Sequence, residues 1–232
     1  MKETLIPKDS PVVLFVLCPI ISLAVTVIVS AMVGMTLFGA GGWTGDVILL
    51  LYLLVLPAAF SILGALSSGN PLSALGASRE VKLLISYEVA LIFVLLIPII
   101  KTNSISLSGI IEHQTINGAL LLSPSGVLGL LLFIPVFLSK VGVVPFDVAE
   151  AETEIAGGIY TEYSGVLLAF YKLSKLILLA ALPTMFIALY APSANLFFFL
   201  KYLVMIVILT LLRNTNPRFR IDQILKVFWS WG

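Results

Sequence analysis

Six almost unbroken apolar stretches, Pro11–Phe38, Asp46–Leu66, Val81–Ile100, Gly126–Val144, Ser164–Tyr190 and Leu196–Leu212, dominate this chain. A helix needs ~20 apolar residues to cross the hydrocarbon core of a bilayer, and each stretch is close to that length. None alternates polar and apolar residues at period 2, the pattern of a transmembrane barrel strand. Backbone polar groups in lipid are satisfied only in helices and closed barrels. The chain therefore reads as all-α, a polytopic membrane helical bundle of about six transmembrane helices, with residues 1–232 forming a single membrane domain. Composition agrees: 60% of residues are hydrophobic and 11% charged, against about 25% charged in soluble domains. The apolar run after the basic N-terminus, "MKETLIPKDSPVVLF", is too long for a signal-peptide core and reads as a retained span.

Composition also excludes functions. A net charge of +1 gives no case for a nucleic-acid partner. A lone Cys18 cannot hold an iron–sulfur cluster, which takes about four thiolates. His113, the single histidine, reads as an exposed loop residue rather than a ligand, because a metal site needs several donors. No cofactor is expected on this chain itself.

With six spans the termini share a side. Lys2, Lys8, Arg79, Lys82, Arg213, Arg218, Arg220 and Lys226 fall on that side, and only Lys101 falls clearly on the other. Basic loops stay inside, so a multi-pass protein of the cell membrane with cytoplasmic N- and C-termini is expected. Two further cytoplasmic segments follow: a loop at about 145–163 and a C-terminal tail at about 213–232. Trp229 and Trp231 in that tail suit an interface anchor. The loop Lys101–Ser125, on the outer side, reads as re-entrant or interfacial.

Ionisable residues within spans are expensive and mark function by default. Glu88, deep in the third span, is either a carboxylate in a polar channel or a partnered structural acid. Lys172 and Lys175 share a helix face. They either snorkel to the interface or face an internal wet path; Lys140 and Lys201 are similar cases. Asp46 reads as an ordinary helix start.

"PFDVAEAETEIAGGIYTEYSG" holds Asp147, Glu150, Glu152, Glu154 and Glu162, five of the twelve acids, with no Lys or Arg. Asp147, Glu150 and Glu154, at i, i+3 and i+7, would share one face of a helix, which Gly157-Gly158 would end. Like charges so placed repel. Such a stretch is either a solvated loop or a place for proton relay or a basic partner. Arg213, Arg218, Arg220 and Lys226 stand on the same side and can pair with it.

Three stretches, "VVPFDVAEAETEIAGGIYTEYSG", "NPLSALGASREVKLLISYEVAL" and "RNTNPRFRIDQILKVFW", together resemble the complex I membrane subunit that adjoins the quinone site, known as its subunit 1, and the bacterial counterpart of that subunit. The resemblance implies a subunit that joins a peripheral electron-transfer arm to antiporter-like membrane subunits. Its acids would line the start of a proton path: Glu88, Asp147, Glu150, Glu152, Glu154 and Glu162, with Lys140, Lys172 and Lys175 beside them. Arg79, Arg213, Arg218 and Arg220 match the family's basic positions. Iron–sulfur clusters and a nickel–iron (NiFe) centre would sit on partner subunits.

Two departures from the family pattern shape the expectation. A terminal span is expected to be missing at each end, and Lys175 stands where quinone-type members place a glutamate. Both favour a ferredoxin-linked membrane-bound hydrogenase, or its sulfur-reducing relative, over quinone chemistry. The competing expectations are a quinone-site subunit of an NADH- or ferredoxin-quinone oxidoreductase, and a stand-alone secondary transporter, for which the paired broken helices are not evident.

Overall fold

In the computed structural model, residues 6–7, 11–38, 45–193 and 196–231 are described, with the side chains of 152, 153 and 231 excepted. Lys2 and Lys8 lie outside them. Six long helices match the six apolar runs: α1 (Val12–Leu37), α2 (Asp46–Ser67), α3 (Pro71–Thr102), α5 (Pro124–Val141), α7 (Gly165–Tyr190) and α8 (Leu196–Thr215). All six are long and apolar enough to cross a membrane. Three short α-helices, α4 (Leu107–Asn117), α6 (Glu152–Ile155) and α9 (Ile221–Trp231), and two 3-10 turns, Leu120–Leu122 and Gly158–Tyr160, complete the described set.

Successive spans run antiparallel. α1 packs on α2 and α7, while α3 packs on α2 and α5. Phe133, Phe186 and Tyr190 stack through the centre, with ring centroids 4.5 Å apart in each step. Tyr190 donates its hydroxyl to the Val94 carbonyl at 2.6 Å, so even this aromatic core leaves its polar tip paired.

α3 begins ten residues before the apolar run at Val81. Asn70 caps it, accepting the Leu72 N–H at 2.8 Å, and Pro71 occupies the first turn, the pairing that favours helix starts. At ~1.5 Å per residue the 32-residue helix is ~48 Å long, against ~30 Å of hydrocarbon. Its head therefore projects beyond the bilayer and carries Arg79, Glu80 and Lys82.

α4 fills the segment read as re-entrant or interfacial. Gln114, buried, donates to the Leu189 carbonyl at 2.8 Å and accepts the Leu120 N–H at 3.2 Å, tying α4 to the end of α7. His113 belongs to this helix and is half-buried, which corrects the exposed-loop reading. At the same end Lys201 donates to the Ala191 carbonyl at 2.9 Å and to Ser193 at 3.3 Å, serving the last carbonyls of α7.

The expected tail is structured. Arg213 belongs to the last turn of α8, and residues 221–231 form α9. Gln223 accepts the Arg220 N–H at 3.0 Å, half of a capping box. Ile224 and Phe228, four apart, are buried against the bundle, and Phe228 meets Phe146 at 5.6 Å. Trp229, by contrast, is exposed.

Candidate functional site

The acidic stretch does not form the one continuous helix on which its acids would share a face. Gly142 ends α5 in the left-handed region (φ 69°), Pro145 follows, and helix resumes only over Glu152–Ile155. Asp147, Glu150 and Glu154 therefore do not share a face. Each instead has its own cation, which removes the repulsion a common face would impose. Arg218 pairs with Asp147 at 2.8 Å, Arg79 with Glu154 at 2.7 Å, and Lys175 with Glu150. Arg79 also donates to the Val148 carbonyl at 3.3 Å, and Phe219 N–H to the Pro145 carbonyl at 3.0 Å. The loop is thus fastened to the head of α3 on one side and to the segment before α9 on the other. Glu162 accepts from the Asn70 side-chain amide and so steadies the cap of α3. The side chain of Glu152 lies outside those described.

Glu150 turns inward. It lines a small cavity of about 30 Å³ together with Glu80 from α3, Lys140 from the last turn of α5 and Lys175 from α7. That volume is enough for at least one water. Tyr171, Ser174, Lys175 and Leu178 reach the cavity from α7 at i, i+3, i+4 and i+7. Leu54, Pro57, Ala58 and Ser61 do so from α2 with the same spacing. Ser22 of α1 closes the side, its hydroxyl 3.2 Å from that of Ser174.

Lys140 leads onward. Its ammonium lies 3.4 Å from Glu88 and 4.8 Å from the centroid of the Tyr87 ring. Tyr87 lies seven residues from Glu80, almost two helical turns, so both occupy one face of α3. The Lys140 side chain is 2% exposed and that of Glu88 16%. Glu88 therefore faces a partner within the bundle. The Tyr87 hydroxyl and Glu88 Oε1 have no protein hydrogen-bond partner among the described residues, the kind of buried group that water serves.

A second cavity of about 220 Å³ adjoins the first, lined by Glu150, Gly157, Tyr160, Leu168, Lys172 and Lys175. The Lys175 ammonium sits 5.3 Å from the Tyr160 ring centroid. Glu150 belongs to both cavities and lies outside the spans. Burial pushes its carboxyl above the ordinary range, against the pull of Lys175. Glu154 is the opposite case: its hydrogen bond to Arg79 lowers it.

The structure thus places Glu150, Lys175 and Lys140 on one cavity, links Glu88 to it through Lys140, and sets the exposed Lys172 on the second cavity. Asp147, Glu154 and Glu162 are held in fastening contacts around the loop. Arg213 and Arg220 are exposed at the same end. Sequence reasoning had not singled out Glu80, because it precedes the apolar run. The Asn-Pro helix start at 70–71 is the signal that places it nine residues inside α3. Among the described residues no cluster of His, Cys, Asp and Glu is arranged to hold a metal ion.

The NADH dehydrogenase family model matches residues 1–232. Among curated relatives, an NADH-quinone oxidoreductase subunit from a Geobacillus species is 31% identical over 99% of this chain and 72% of its own. The protein of the same name from Rickettsia canadensis is 34% identical with the same coverage. That from Dehalococcoides mccartyi is 29% identical over 100% of this chain and 67% of its own. Among solved structures, a chain of the membrane-bound sulfane sulfur reductase, an archaeal respiratory membrane complex, superposes with a TM-score of 0.90 at 22% identity, covering 100% of this chain and 78% of that one.

Proposed function

The chain belongs to the NADH dehydrogenase family, and from that footing we propose that it is a non-redox membrane subunit coupling a peripheral electron-transfer arm to proton or sodium translocation. The observation that carries this reading is the alternation of acids and bases, Glu150–Lys175 and Lys140–Glu88, with Lys140 buried and the other three half-buried, around a cavity that Glu80 also lines. Charges inside a membrane bundle are costly and are retained where ions move.

In the proposed mechanism the arm docks over the loop at 145–163, at the end of the bundle that carries most of the Lys and Arg. That end faces the cytoplasm by the positive-inside rule. A change of charge on the arm alters the field at Glu150, and each unit of pKa shift is worth about 1.36 kcal/mol of differential interaction. Glu150 exchanges its proton through the cavity with Glu80. Lys140, held between this cavity and Glu88, passes the change along α3. From there it reaches antiporter-like membrane neighbours. Iron–sulfur clusters and a NiFe or sulfur-reducing centre would reside on hydrogenase-like partners. Lys175 in the glutamate position supports the hydrogenase or sulfur-reductase version, and the shape of the sulfane sulfur reductase chain is in keeping with it.

Replacing Glu88 or Glu150 with Gln in the intact complex should abolish ion pumping while leaving dye-linked activity of the arm within a factor of about two; a change that small is under 0.5 kcal/mol of barrier. Undiminished pumping in both variants would defeat the assignment. The names of the relatives favour a second reading, quinone reduction at this subunit. Quinone that co-purifies stoichiometrically and competes with quinone-site inhibitors would decide for it. Transport by this chain alone in vesicles would decide instead for a secondary transporter.

A further inference from the structure

The outward stripe of α7 consists of Val166, Ala169, Lys172, Leu173, Leu176 and Ala180, all exposed. Lys172 is its one polar member. It makes no ion pair among the described residues, although it lies seven residues inside a helix long and apolar enough to cross a membrane. At ~1.5 Å per residue that is ~10 Å below the helix start, within the reach of a lysine stem to the headgroup level. At its foot opens the 220 Å³ cavity, which holds two ammonium groups, Lys172 and Lys175, against one carboxylate, Glu150. Glu150 is already engaged by Lys175. The cavity is smaller than the ~300–1,000 Å³ of pockets for drug-sized ligands, and Lys172, which lines it, also belongs to the exposed apolar stripe of α7.

An occupant must therefore be anionic at one end, compact there, and apolar beyond. We propose that Lys172 and this cavity seat the phosphate of one anionic phospholipid, whose acyl chains lie along Leu173, Leu176 and Ala180. Lys172 donates to the phosphate oxygens, and the Tyr160 ring and Leu168 flank the glycerol. The ligand satisfies an ammonium that the described residues leave without an ion pair at the membrane boundary, where such a group is costly without a counter-charge. The inference rests on α7 crossing the bilayer and does not depend on the proton route proposed above.

The test uses the complex purified into nanodiscs of phosphatidylcholine, with and without phosphatidylglycerol, and counts lipids surviving delipidation by native mass spectrometry. One phosphatidylglycerol should be retained per chain in preference to phosphatidylcholine. K172Q should weaken its retention by about tenfold or more, the worth of one charge-assisted hydrogen bond. K172R and the control K201Q should keep it. Equal retention of the two lipids by the unaltered protein would overturn the proposal, as would undiminished retention in K172Q. Displacement of the lipid by millimolar inorganic phosphate would assign the site to a soluble anion. Loss of a neighbouring subunit from K172Q, with lipid content unchanged, would assign Lys172 to a protein carboxylate. Either result also overturns the lipid reading. Because pumping is not the readout, failure here leaves the Glu88 and Glu150 experiments to stand or fall alone.

Discussion

Gly142 shows how one residue shapes the polar interior. Its φ of 69° suits glycine, and a Cβ there would lie 2.9 Å from the Lys175 ammonium and 3.2 Å from Glu150 Oε1. Gly142→Ala should therefore displace the Lys175–Glu150 pair and cost about 1 kcal/mol or more in backbone strain. Thermal unfolding of the solubilised protein reads the cost. Lys140 makes a sharper case. Lys140→Met leaves Glu88 buried without its cation, a loss of ~3–5 kcal/mol for a broken buried pair. The double variant with Glu88→Gln should recover most of it, and unfolding free energies of the two variants give the comparison. The two titrating loop acids act in opposite directions. Burial raises Glu150, so its contribution to stability is present below the ordinary carboxylate value and fades as pH rises through the folded one. Arg79 lowers Glu154, so its contribution is present above the ordinary value and fades as pH falls through the folded one. The latter pair is exposed and worth no more than ~1 kcal/mol. A protonated-carboxyl infrared band that persists above the usual range and vanishes in Glu150→Gln would establish the first direction. Its persistence in that variant would assign the proton elsewhere.

At the scale of elements, the spans were legible and the connections between them were not. Hydrocarbon thickness sets the length of an apolar run, so α1, α2, α5, α7 and α8 fall close to the runs read from sequence. α3 departs because its first ten residues obey capping chemistry instead of hydropathy, and Glu80 was missed with them. The acidic stretch departs because period-3.6 spacing says nothing of which cations approach from elsewhere in the chain. Arg79 and Arg218 each claim one carboxylate, and Gly142 ends α5 before the acids begin. α9 is the element most open to test. Ile224 is fully buried, and truncating such a side chain costs ~2–5 kcal/mol. Ile224→Ala should undock α9, raising hydrogen exchange over 221–231 while α3 and α7 keep their protection. Unchanged exchange there would mean that the helix is held by something other than its buried face.

For the whole molecule the charge asymmetry between the two ends makes the orientation checkable. Cys18 is 1% exposed, so it supplies little background for thiol labelling. A cysteine at Lys226 should react with a membrane-impermeant reagent only from the cytoplasmic side, and one at the exposed Ile116 only from the other. Reversed labelling would invert the docking face and the proposed coupling with it. The proposed route from Glu150 to Glu88 could not be seen in the sequence as a route, since its members come from α3, α5, α7 and the loop. Only packing brings Lys140, sixty residues from Glu80, to the same cavity. That assembly has an electrostatic consequence. Leaving aside Lys172 on the second cavity, Glu80, Glu88 and Glu150 are three potential anions of the inner set, whereas Lys140 and Lys175 are its two cations. In a medium of low permittivity, electroneutrality is reached when the set holds one proton beyond full ionisation. On the proposed reading, this set would take up and release a single proton in each cycle.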